Sequence, residues 1–122
     1  MRYVMMTFVS PDHEEAWRRA TPAERQAEVD RTVGWFRANG AHIVGGEELG
    51  RPDRARTLRR AGVTDGPFIE TKELLGGFIV LDVQDEATAL RIAGEWPGLD
   101  WPDDAVEVRP AGDSQVEVDA PA

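Results

Sequence analysis

The residue types best suited to chemistry in this chain cluster in one stretch, where Asp65-Gly66-Pro67-Phe68 is followed by Glu70-Thr71-Lys72-Glu73. Asp-Gly-Pro is first of all a turn: Asp bonds readily to nearby amides, Gly admits positive φ and Pro fixes its own φ. The same turn can hold the Asp65 carboxylate at the mouth of a cavity, as a proton acceptor or as an anchor for a ligand hydroxyl. Lys72 is the single lysine beside thirteen arginines. Paired with Glu70 at the surface it is a weak salt bridge; partly buried, the two would line a pocket and set the field around Asp65. These three form the catalytic expectation, with Phe68 as a neighbouring ligand contact.

The remaining candidates are weaker. His42 stands just inside a strand start, where an imidazole either packs or contacts a ligand. His13, in Pro-Asp-His-Glu-Glu, is expected to be solvated surface. Two distant histidines give no metal-ligand spacing, so no metal is expected, and neither a GxGxxG nor a Walker pattern offers a phosphate cradle; no cofactor is expected either. Arg51, Arg54, Arg56, Arg59 and Arg60 form a local basic patch. It reads as a charged edge, or, through Arg56 and Arg59, as a bidentate latch for a ligand carboxylate or phosphate. The four tryptophans default to core or interface.

Bulk properties narrow the class. With 122 residues, 41% hydrophobic and 30% charged, the chain is one globular domain with one core. A formal net charge of -9 opposes any sequence-independent grip on nucleic acid or anionic lipid. The absence of cysteine excludes thiolate chemistry and disulfides and suits a cytoplasmic location. The N-terminal apolar run is too short to span a membrane and is read as a strand.

The elements that must position these residues follow from patterning. Tyr3 to Val9 is an apolar run suited to a central strand. The loop Pro11 to Ala20 holds at most a helical turn near Trp17. Thr21-Pro22-Ala23-Glu24 opens a helix with a capping box and Pro at the first position; it runs to Asn39, with Val29, Val33 and Phe36 on its buried face. Ala41 to Gly46 is a second strand, Ala55 to Arg60 a weak edge strand, and Ala61-Gly62 a turn. Gly76-Gly77 relieves crowding where backbones approach. Gly77 to Val83 is again central, a second helix opens at Gln84-Asp85-Glu86 and closes at Pro97-Gly98, and Ala105 to Arg109 is the last strand. Residues 111–122 read as a mobile tail in which Val116 to Val118 could extend an edge.

This order is the split βαβ pattern of a ferredoxin-like α+β domain, with both helices on one face of the sheet. Because the first strand and the Gly77 run are apolar in both alternating registers, the opposite face would expose several hundred Å² of apolar surface. A homodimer with its sheets face to face, an α+β barrel, is the economical solution.

Thr64-Asp65-Gly66-Pro67-Phe68, Glu70-Thr71-Lys72-Glu73 and Leu75-Gly76-Gly77-Phe78 resemble the signature of the DGPF branch of the YCII-related proteins, and the likeness extends more loosely over residues 1–110. The resemblance implies the dimeric α+β barrel. It also implies a possible enzymatic role through a His and Asp pair, the His lying early in the first helix. The matching stretch here is Pro22-Ala23-Glu24-Arg25, which has no histidine, and Asp65 stands near the expected acid. The expected function is small-molecule binding in the barrel, with cofactor-independent proton transfer, elimination or isomerisation as its chemistry. The alternative that the resemblance implies is a non-catalytic module associated with extracytoplasmic-function sigma factors.

Overall fold

The computed structural model describes residues 1–68 and 73–112. Its four-stranded sheet is antiparallel throughout, with strand order β2-β5-β1-β6. The strands are β1 (Arg2–Val9), β2 (Ile43–Glu48), β5 (Leu74–Asp82) and β6 (Ala105–Pro110). Between β2 and β5 the chain inserts β3 (Arg56–Arg59) and β4 (Gly62–Asp65), which pair only as a two-stranded sheet of their own. The α+β ferredoxin-like arrangement expected from the sequence is the one observed.

Among the described residues there are three α-helices rather than the two expected. The segment read as a loop is α1 (Pro11–Arg19), followed by α2 (Pro22–Asn39) and α3 (Glu86–Gly94). The reason it escaped periodicity is physical: α1 buries no residue, so its sequence carries no apolar stripe, and only its ends announce it. Ser10 caps it by accepting from the His13 N–H, with Pro11 in the first turn. The following helix repeats the device, since Thr21 accepts from Glu24 N–H while the Glu24 carboxylate accepts from Thr21 N–H. That second bond, with the Thr21 hydroxyl, holds the Glu24 carboxyl below its ordinary value.

The core lies between the sheet and helices α2 and α3. Tyr3, Met5, Ile79 and Leu81 alternate onto that face and meet Trp35 from α2 and Ala89, Ile92 and Ala93 from α3. Trp35 donates its indole N–H to the Ile92 carbonyl at 3.0 Å, tying the two helices together. One helix face differs from expectation: Val29, Val33 and Phe36 remain half-exposed, because α2 buries the Trp35 and Asn39 side instead. In α3, Leu90 faces solvent while Ile92 takes the core position. On the other side of the sheet Val4, Met6 and Phe8 alternate with buried β1 residues, and Phe78 and Val80 with buried β5 residues. The expectations for Glu70, Lys72 and residues 113–122 lie outside the described residues. Among the described residues no helix is long and apolar enough to cross a membrane.

Candidate functional site

With α2 presenting its half-exposed apolar stripe, a cleft of about 880 Å³ opens between the first two helices and the sheet. Val29, Val33 and Phe36 from α2 and Trp17 from α1 form its apolar walls, completed by Ile43, Ile79 and Trp96. Part of its floor is bare backbone, where Gly45 and Gly46 of β2 pair with Val80 and Ile79 of β5 and Gly77 of β5 pairs with Glu48 of β2. Gly46 and Gly77 are required by close approach. A Cβ at Gly77 would stand 2.8 Å from the Glu47 carbonyl, and one at Gly46, where φ is +145°, 2.5 Å from that of Phe78. Both fall well inside van der Waals contact.

At this cleft lies a histidine that the sequence reading left to solvent. His13 occupies the first turn of α1 with its side chain only 13% exposed. Its Nδ1 lies 2.6 Å from Oδ2 of Asp104, whose side chain is 4% exposed. The other Asp104 oxygen accepts the Ser10 N–H at 2.8 Å. Ser10, itself buried, thus fixes both members: its hydroxyl caps the helix that carries the histidine and its amide holds the aspartate. The imidazole stacks on Trp101, with centroids 4.7 Å apart and planes 10° from parallel. Its second nitrogen, Nε2, meets Oε1 of Glu28 from α2 in a short contact.

This geometry dictates a proton arrangement. Asp104 accepts at both oxygens, so Nδ1–H donates to it, which leaves Nε2 as the exchanging nitrogen. Nε2 stands beside Glu28 on the cleft wall, where it can exchange a proton with a bound group. Around the rim, Glu14 takes guanidinium contacts from Arg18 at 3.2 Å and Arg51 at 2.6 Å, linking α1 to the segment after β2. Among the described residues there is no cluster of three potential ligands suited to a metal ion.

The residues singled out by sequence lie elsewhere. Asp65, Arg56, Arg59 and Phe68 come together, but on and beside the β3–β4 hairpin rather than at the cleft. Asp65 pairs with Arg56 at 3.2 Å and is 87% exposed, and the Arg59 guanidinium lies over the Phe68 ring at 4.8 Å. His42 ends the short turn Gly40–His42 between α2 and β2 and is not among the cleft residues. The stretch Pro22-Ala23-Glu24-Arg25, expected to open the first helix, opens the second; the first begins at Pro11, and its third residue is His13. Ser10-Pro11-Asp12-His13 repeats the Thr21-Pro22 opening, which was the available signal. Nothing local marks Asp104, 91 residues away.

The sequence matches the YCII-related domain over residues 1–110. No curated protein matches it. Among solved structures, the chain is similar to 5-chloro-2-hydroxyhydroquinone dehydrochlorinase (TftG) from Burkholderia phenoliruptrix AC1100, described in complex with 2,5-dihydroxybenzoquinone. The two share 12% identity with a TM-score of 0.55, over 90% of this chain and 92% of that one. At that identity the likeness is one of fold.

Proposed function

This chain belongs to the YCII-related family, and we propose that it is a cofactor-independent acid–base enzyme acting on a small hydroxylated aromatic or quinoid molecule bound in the cleft beside His13. The observation that carries this reading is the His13–Asp104 pair, buried on its aspartate side and lining the cleft beside Glu28 on its Nε2 side. Asp104 fixes the ring's tautomer and orientation, Trp101 fixes its plane, and Nε2 exchanges a proton with a ligand hydroxyl that takes the place of Glu28. Trp17, Phe36 and Trp96 supply a surface suited to a flat ring. For a halogenated polyhydroxybenzene, one hydroxyl proton goes to Nε2 as its O–H electrons form a carbonyl and the ring carbon bearing the halogen takes up a proton; loss of a second hydroxyl proton then forms the second carbonyl as halide leaves that carbon with its bonding pair. The balance is loss of HX, and no oxidant is needed. The chemistry named for the structural relative lends support to this substrate class.

The test is turnover of a chlorinated hydroxyhydroquinone, with 2,5-dihydroxybenzoquinone as a binding probe. His13→Gln should lower kcat by about 10²–10⁴, the range for a lost general acid–base, while leaving the fold intact. Equal activity in wild type and variant would remove His13 from the mechanism.

The same reading includes a homodimer. Val4, Met6, Phe8, Phe78 and Val80 form an apolar patch on the face that carries no helix, which a second copy would shelter.

A further inference from the structure

The β3–β4 hairpin is an unsupported element. Two strands alone are marginal in water, and among the described residues this pair forms no sheet with any other strand. Its register places Arg56, Leu58, Val63 and Asp65 on one face, with Leu58 opposite Val63. Leu58 is 74% and Val63 61% exposed, and Phe68 just beyond is 67% exposed. An apolar centre bordered by the Arg56–Asp65 ion pair has the anatomy of an interface.

Charge identifies the occupant. Residues 51–65 carry five arginines and two aspartates in a chain of net charge -9. The hairpin is therefore basic and the remaining surface strongly acidic. Two such hairpins would repel one another, and an acidic molecule of this kind repels nucleic acid. The acidic body of a second copy is the complementary surface available. Area points the same way. Four strands of six to nine residues give the open sheet face a footprint on the order of 500 Å², whereas stable interfaces bury about 800 Å² per partner. The hairpin leaves the sheet from β2 and returns into β5, so it extends the surface at that edge.

We infer that the hairpin is a dimerisation arm, whose Leu58 and Val63 are buried on the acidic body of the second copy. This rests on the reading that a second copy covers the open face. The absence of cysteine makes the test clean. Leu58→Cys, labelled with a maleimide at micromolar concentration, should react at least tenfold more slowly than a control cysteine at the exposed position Glu86. That protection should vanish when a Met6→Asp substitution holds the chain monomeric. Reversing the arm's charge with Arg54→Glu and Arg60→Glu together should raise the dimer dissociation constant at least tenfold. If the chain sediments as a dimer while Leu58→Cys reacts as fast as the control, the arm is free and the inference fails although the dimer stands. Protection that persists in the monomeric variant overturns it too, by showing that the arm folds on its own chain, and an unchanged dissociation constant in the charge-reversed variant removes the acidic acceptor. A wild-type chain that sediments as a monomer overturns the covering copy itself.

Discussion

At the scale of single residues, the decisive partnership joins groups 91 positions apart in sequence, His13 in the first turn of α1 and Asp104 in the turn before β6. Asp104→Asn tests what the aspartate does. The Ser10 N–H needs an acceptor at Oδ1, so the substituted amide would present its NH₂ to His13 and force the opposite tautomer. Nε2 would then carry a proton and could no longer accept one. The expected result is a fall in kcat of about 10²–10⁴ with a small change in Tm; a variant that keeps wild-type turnover would show that the tautomer is irrelevant. Sequence alone could not reveal this pair, because neither Asp-His-Glu-Glu nor Pro-Asp-Asp has a spacing that implies contact. Asp65 and Arg59, the catalytic and ligand-binding candidates read from sequence, keep company on the hairpin instead.

At the scale of elements, caps and turns were far more legible than buried faces. The capping box at Thr21 and Glu24, the stop near Asn39 and the paired central strands all appear where local chemistry places them. The α2 stripe misled because Val29, Val33 and Phe36 do form one face, but that face lines a cleft instead of filling a core. The cap also has a pH signature. Glu24's carboxyl is held below its ordinary 4.5 by the Thr21 backbone N–H and then by the Thr21 hydroxyl. A depressed folded value means that the contribution is fully present above the unfolded value and is lost as pH falls through the folded one. Denaturation of Glu24→Gln should therefore show a deficit relative to wild type at neutral pH that shrinks steadily below about pH 4. A deficit that is constant with pH would mean that the carboxylate contributes through packing alone.

At the scale of the whole molecule, the open sheet face was readable because apolar residues in both registers of β1 and β5 leave no polar side to turn outward. The cleft was not readable, since it depends on how far α2 stands from the sheet, a matter of tertiary geometry. Met6→Asp should convert a sedimenting dimer to a monomer without unfolding it, because the substitution touches the open face and spares the core. If dimerisation survives that change, a different surface joins the copies. The glycine-paved side of the cleft carries an implication for how such a protein could acquire new ligands. Main chain offers nothing to exchange, and adding even a methyl group at two of its positions collides with a neighbouring carbonyl. Diversification is thereby pushed onto the helical wall, where Val29, Val33 and Phe36 can be traded one at a time at little risk to the fold, so selectivity in this pocket is written from one side only.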